Sequence, residues 1–317
     1  MKIAVAQMAP VFLNRKKTVA KLCEWIERAA KKGCELVVFS ETILPGYPVW
    51  LDRTDGARFN DDDQKEMFAH YLDQAVDLLS DDFQPIRKAA KTGQINVILG
   101  VAERAQDRAG HTIYCSCVVV GKSGEILSNH RKLMPTYEER LVWGTGDGNG
   151  LVVHQIGEFT VGALNCWENW MPLARTALHA QGENLHVSLW PGNPRNTTDI
   201  TRFMALEGRS FVVAANGILR GKDIPQSTPM RERFVSSDDE MLMRGGSAIA
   251  SPDGQFLVAP IADREELLIE DLNLAHVREE RQNFDLSGHY ARPDVLKLQV
   301  DRRRHGAVDF LDDELPS

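Results

Sequence analysis

The stretch VGALNCWENWMP, Val161 to Pro172, decides how the chain is read. It opens as an apolar run of strand length, closes with Pro172 at the favoured first position of a helix, and sets Cys166 at the junction. A strand that hands over to a helix is the unit from which helix-covered sheets are built. Working outward, the same rhythm recurs: strand Leu185–Leu189, helix Thr197–Gly208 and strand Phe211–Ala215 follow, and strands Leu151–Ile156 and Thr160–Leu164 precede, turning at Gly157-Glu158. The first half has similar order. Ile3–Gln7 reads as a strand, and Val19, Leu22, Cys23, Ile26 and Ala30 fall at helical spacing until Gly33 stops them. Strand Glu35–Ser40, helices Asp63–Leu79 and Phe83–Thr92, and strands Asn96–Glu103 and Thr112–Val120 complete it. The predicted class is α/β or α+β.

Between these elements, His130–Gly150 reads as irregular. Arg220–Met243 reads as an exposed loop long enough to be a lid or an oligomer contact. Ser247–Ser251 and Gln255–Ala259 form a hairpin about Pro252-Asp253-Gly254. No linker interrupts the sequence, which predicts one domain over residues 1–317 with a short charged tail from about residue 301.

Composition narrows the function. With 317 residues, 43% hydrophobic and 26% charged, the chain has the make-up of a folded globular protein. Its net charge of −8 gives no positive field to gather nucleic acid or anionic lipid, and no apolar run approaches a membrane span. An uncharged small substrate fits better. The cysteines Cys23, Cys34, Cys115, Cys117 and Cys166 are odd in number and lack metal-ligand spacing, and the nine histidines form no ligand cluster. The expectation is a cytoplasmic protein using no metal and no cofactor, with chemistry supplied by side chains. The start, MKIAVAQMAP, lacks the apolar length of a secretory signal, in keeping with that compartment.

Three segments concentrate reactive groups. In VVFSETILPGYP an apolar strand delivers Glu41 at its carboxyl end, where sheets of this kind bind ligands. A carboxylate beside apolar walls gains proton affinity and can act as a general base; alone, it reads first as a cap or ion-pair residue. In HRKLMPTYEER, Lys132 ends a strand-like run and could steady negative charge. The adjacent Glu138 and Glu139 point about 100° apart on any helical turn, so only one can face a given site. In isolation such a segment is a solvated charged loop. In LNCWENWMP, Cys166 lies where backbone N–H groups and a helix start lower a thiol's proton affinity, although a cysteine in apolar sequence is also an ordinary core residue.

Together, in the order Glu, Lys, Cys, these segments resemble the nitrilase superfamily of carbon-nitrogen hydrolases. The resemblance runs from IAVAQMAP through GGSAIASPDG to HYARPDVLKL. Within it, CWENWMP, RKLMPT, the Glu139-Arg140 pair and WGTGDG look like the nitrilase branch. The resemblance implies a four-layer α-β-β-α sandwich, a homodimer formed through helices near the nucleophile or a larger homo-oligomer, and a small-molecule nitrile as substrate. It implies Cys166 as nucleophile, Glu41 as base, Lys132 as stabilising cation and Glu139 as second glutamate, with acid and ammonia released through a thioimidate and an acyl-thioester. Lys132 and the Trp167 N–H would stabilise developing negative charge. A cyanide hydratase or dihydratase, or an aliphatic amidase, would use the same groups. Tyr47, Thr136, Trp167 and Trp190 adjoin the matched positions and are the candidate substrate-binding residues, each also readable as core packing.

Overall fold

In the computed structural model, which describes residues 1–306 and 308, two sheets are packed face to face with helices outside both. The first half contains β1 (Lys2–Gln7), α1 (Arg15–Lys31), β2 (Leu36–Phe39), α2 (Asp62–Gln74), α3 (Gln84–Gly93), β3 (Asn96–Arg104), β4 (Ile113–Val120) and β5 (Ile126–Arg131). The second contains β6 (His154–Ile156), β7 (Phe159–Asn165), α4 (Pro172–His179), β8 (Leu185–Trp190), α5 (Pro194–Gly208) and β9 (Phe211–Asn216). There follow β10 (Ile218–Arg220), α6 (Arg231–Phe234), β11 (Met241–Ala250), β12 (Phe256–Ala262), β13 (Glu266–Asp271) and α7 (Leu274–Glu280).

The first sheet has the order β13-β1-β2-β3-β4-β5, and the second β10-β11-β9-β8-β7-β6 with β12 beside β11. The strands joined through helices, β1-β2-β3 and β7-β8-β9, are parallel; the hairpin-linked and edge pairs are antiparallel. Period-2 alternation creates the layers. Ile3 and Val5 of β1 join Val187, Leu189 and Val213 between the sheets, whereas Ala4 and Ala6 face Leu22, Ile26 and Ile86 of α1 and α3. On the far side, Leu164 packs on α4 through Ala174 and Leu178, and Val212 and Ala214 pack on α5 through Ile200 and Met204. The four-layer α-β-β-α order is therefore the observed one.

Several expectations need correction. The helix expected over Asp63–Leu79 ends at Gln74, because Ala75 turns extended and Val76 bridges to β3, its N–H reaching the Ala102 carbonyl at 2.8 Å. The irregular stretch from His130 begins inside a strand, β5. Leu151–Ile156 shortens to β6. Arg220–Met243 is no exposed loop: Ile224, Phe234 and Val235 are buried against Phe12, Trp50 and Tyr71. Arg231 further binds the Gly221 and Ile224 carbonyls, at 3.0 Å each, which closes the segment on itself. The tail expected from residue 301 lies only partly within the described residues; Arg304 and Asp147 pair there at 3.1 Å.

Candidate active site

The apolar run of β2 is buried throughout, and the chain leaves it at Ser40-Glu41-Thr42 with Thr42 in the left-handed region at φ 41°. That exit is pressed against β3 at Gly100. A Cβ there would lie 2.3 Å from the Thr42 nitrogen and 2.6 Å from the Glu41 Cα, so only glycine admits the approach. Glu41 is thereby fixed by backbone, with its N–H on the Trp190 carbonyl at 3.3 Å. Its Oε1 accepts from Lys132 Nζ at 2.9 Å and from Cys115 Sγ at 3.2 Å. Its Oε2 is buried without a partner among the described residues. Burial pushes the Glu41 carboxyl up to about 7, with Lys132 opposing and Glu139 adding to the rise.

Lys132 follows β5 directly; its N–H reaches the Cys115 carbonyl at 2.8 Å, and its own carbonyl accepts from Gly146 at 2.9 Å. The side chain is fully buried, with Nζ 2.7 Å from Glu139 Oε2 and 5.6 Å from the Trp143 ring centroid. Burial alone favours the neutral amine, but the acidic groups of Cys166, Glu41 and Glu139 outweigh it and hold the ammonium well above the ordinary lysine value. Glu139 sits in a one-turn 3₁₀ helix, Tyr137–Leu141. Its Oε2 also accepts the Thr136 N–H at 2.6 Å, and its Oε1 accepts the Tyr47 hydroxyl at 2.9 Å. Glu138 is half-buried at the cavity rim, so the two neighbouring glutamates do diverge.

Cys166 begins a second 3₁₀ turn, Cys166–Trp170, and takes φ 49°, a left-handed conformation costly for a side-chain-bearing residue. One carboxylate from Glu41, one from Glu139 and the Cys166 sulfur lie within 4.8 Å of one another. The Lys132 ammonium, bonded to both carboxylates, already supplies the cation between them. The expectation of a thiol acidified by a helix start is corrected here. α4 begins at Pro172 as expected, but burial, reinforced by Glu41 and opposed by Lys132, holds the Cys166 thiol well above its usual value. Ionisation of Cys166 therefore needs an acceptor for its proton, and the unpartnered Glu41 Oε2 is one.

The cavity beside these groups has a volume of about 170 Å³. Tyr47, Thr136, Trp167 and Trp190 all line it, together with Cys166 and Glu139. Trp190 is buried and its indole N–H has no partner among the described residues, while Trp167 is 45% exposed and stacks on Trp170 at 6.1 Å. Asn193, Asn196 and Thr197 at the start of α5 also line the cavity and were not foreseen; their signal is the Pro- and Asn-rich WPGNPRNTT between strand and helix.

Sequence reasoning also missed Glu168. This buried carboxylate accepts the Leu133 N–H at 2.6 Å and the Asn165 N–H at 2.9 Å, and pairs with His130 Nε2 at 3.0 Å. Burial pushes its proton affinity up, but His130 and those two N–H groups prevail and leave it below the usual carboxylate range. It ties the turn bearing Cys166 to the strand end bearing Lys132. Asn169 supports the same turn, its Nδ2 donating to the Cys166 carbonyl at 2.8 Å.

A sandwich of two sheets with Glu, Lys and Cys converging at strand ends defines a class, and the Carbon-nitrogen hydrolase family model matches residues 2–282. The chain belongs to the carbon-nitrogen hydrolase family. It is 37% identical to an aliphatic nitrilase of Sinorhizobium fredii (strain HH103), over 96% of this chain and 97% of that one. It is 36% identical to the bifunctional nitrilase/nitrile hydratase NIT4 of Oryza sativa subsp. japonica, over 98% and 86% respectively. Among solved structures, a Nesterenkonia AN1 amidase from the nitrilase superfamily shares the fold at a TM-score of 0.64 and 18% identity, covering 89% of this chain and 94% of that one.

Proposed function

We propose that this protein is a nitrilase: it hydrolyses a small organic nitrile to the carboxylic acid and ammonia, with Cys166 as nucleophile, Glu41 as proton carrier, and Lys132 and Glu139 as the charged frame. The observation that carries this reading is the free, buried Oε2 of a high-affinity Glu41 beside a thiol that is itself held protonated. The choice of nitrile over amide is supported by relatives named nitrilases along nearly the whole chain.

The chemistry balances as follows. Glu41 Oε2 takes the Cys166 proton as sulfur bonds to the nitrile carbon, and the proton passes to nitrogen, giving a thioimidate. Water adds to that carbon, its proton again passing through Glu41, to give a tetrahedral adduct bearing an amino group. Breaking the C–N bond releases ammonia and leaves an acyl-thioester; a second water cleaves the C–S bond, yielding the acid and free Cys166. Lys132 and the Trp167 N–H stabilise negative charge as it develops, a contribution worth about 3 kcal/mol per donor. Glu139 holds the Lys132 ammonium and the Tyr47 hydroxyl in place. Tyr47, Thr136, Trp167 and Trp190 bind the substrate, Trp190 offering its unpartnered N–H.

Residues 1–317 act as a single carbon-nitrogen hydrolase domain in a cytoplasmic homodimer or larger homo-oligomer. Support for assembly comes from α4 and α5, which meet where Arg175 packs over Phe203, 5.5 Å to its ring centroid, and which leave Leu173, Phe203 and Leu206 at 40% or more exposure beside the similarly exposed Trp170 of the preceding turn. No described helix is long and apolar enough to cross a membrane. The test is product analysis: the purified protein is offered aliphatic, aromatic and arylaceto nitriles, cyanide and the matching amides, with Cys166→Ala as blank. Acid and ammonia from nitriles support the reading. Amide as the main product indicates that the tetrahedral adduct loses sulfur rather than ammonia, and turnover of amides alone replaces the reading with an amidase.

A further inference from the structure

Cys115, in β4, touches both Glu41, through its side chain, and Lys132, through its backbone. Its Sγ donates to Glu41 Oε1 at 3.2 Å, and its carbonyl accepts the Lys132 N–H at 2.8 Å. It is fully buried, is absent from the cavity lining, and is fixed on its strand opposite Ala102 of β3. Burial and the neighbouring Glu41 hold this thiol well above its ordinary value, so it remains a donor across the working pH range. The groups facing Glu41 are Lys132 from the end of β5, Glu139 from the Tyr137–Leu141 turn and Cys166 from the turn after β7. Cys115 from β4 and, farther out, Tyr47 from the chain after β2 and Tyr71 from α2 complete the set. Of the two groups that hydrogen-bond to its carboxylate, Lys132 and Cys115, the ammonium is bound to Glu139 as well, which leaves Cys115 as the partner that Glu41 does not share with another carboxylate.

We propose that Cys115 is a positioning residue that fine-tunes how strongly Glu41 holds a proton, its thiol serving as a weak donor to Oε1 while its carbonyl fixes the backbone of Lys132. An S–H bond stabilises a carboxylate less than an O–H bond does. A hydroxyl at this position would favour the charged form and make Glu41 a weaker base; an apolar side chain would do the reverse. The thiol thus leaves Glu41 basic enough to accept the Cys166 proton while helping to hold Oε1, so that Oε2 is the oxygen without a partner among the described residues.

The inference rests on the reading of Glu41 as the base. The experiment compares wild type, Cys115→Ser and Cys115→Ala in two ways: the pH profile of kcat/KM on a nitrile, and the pH dependence of Cys166 alkylation by iodoacetamide, located by mass spectrometry. The acidic limb is expected to move down by about half to one pH unit in the serine variant and up by a similar amount in the alanine variant. Because the shifts have opposite signs, either folded variant alone decides the question. Profiles that coincide with wild type, or that move in the same direction in both variants, overturn the proposal. If neither variant folds, the wild-type Raman S–H band decides: it should rise in frequency in Glu41→Gln, and an unchanged band overturns the proposal. Alkylation needs no substrate, so shifted alkylation without nitrile turnover sinks the nitrilase reading and leaves the Cys115 assignment standing.

Discussion

Replacing Lys132 by Met removes the ammonium while roughly keeping the length and apolar stem of the side chain. Glu41 and Glu139 then face each other as buried carboxylates with oxygens within 4.8 Å and no cation between them. At an effective dielectric near 20, two unit charges about 4.8 Å apart repel by about 3.5 kcal/mol, which is about 2.5 pKa units on one member of the pair. One glutamate should therefore take up a proton near neutrality. Loss of the transition-state donor adds about 3 kcal/mol to the barrier, or roughly 100-fold in rate. Breaking the buried pair should cost about 3 to 5 kcal/mol of stability.

The sign of the pH effect follows from linkage. A carboxyl whose folded proton affinity is raised contributes stability below its unfolded value and loses it as pH rises through the folded value. In wild type this already applies to Glu41, raised to about 7. In Lys132→Met the rise is larger, so the variant should lose stability more steeply than wild type between pH 5 and 8. Thermal unfolding across that range and kcat/KM at each pH measure both effects. A variant within tenfold of wild-type turnover, or with the same stability-versus-pH slope, refutes the assignment of Lys132 as the central cation. Lys132→Arg should not rescue turnover, since a planar guanidinium cannot replace a compact ammonium held between two carboxylates.

Cys166→Ala should abolish turnover with the fold retained by circular dichroism, and Glu41→Gln should do nearly the same; appreciable residual rate in either removes that residue from its role. Glu139→Gln should lower kcat severely, because both carboxylate oxygens accept hydrogen bonds and an amide can accept at only one. Glu138→Gln should stay near wild type, and a reversed order would exchange their roles. Gly100→Ala should cost at least about tenfold in kcat and about 1 to 3 kcal/mol, since its Cβ must displace the backbone of Glu41 and Thr42. An alanine variant with unaltered kinetics would mean that this close approach does not position the base.

The parts of the fold legible in sequence were the strands buried on both faces. β1, β3, β4, β8 and β9 are near-continuous apolar runs, and their expected bounds match the observed ones within a residue or so. β13 was missed and β5 was read only as a strand-like run before Lys132, without bounds, because both are edge strands of the first sheet, and ILSNHR and ELLIED carry the polar residues such edges tolerate. The 220–243 segment was misread because its anchors, Ile224, Met230, Phe234 and Val235, follow neither helical nor strand periodicity and stand among charges. At the site, Glu41 and Cys166 were legible because each ends a recognisable strand, and Lys132 because the run before it is strand-like. Cys115 was not, because its partner Glu41 lies 74 residues away and nothing in the apolar strand IYCSCVVV marks the pairing; Glu168 was not, because its bond to the Asn165 N–H is local but its ties to His130 and Leu133 lie 38 and 35 residues away.

The Glu168 carboxylate reaches from the second sheet to the end of β5 in the first, joining Asn165 and Leu133 through one side chain. Neither sheet folded by itself can contain the proposed Glu41, Lys132 and Cys166 constellation. Catalysis is therefore a reporter of docking between the sheets. During refolding, turnover should return no earlier than the slowest signal of inter-sheet contact, however soon each sheet acquires its own strands.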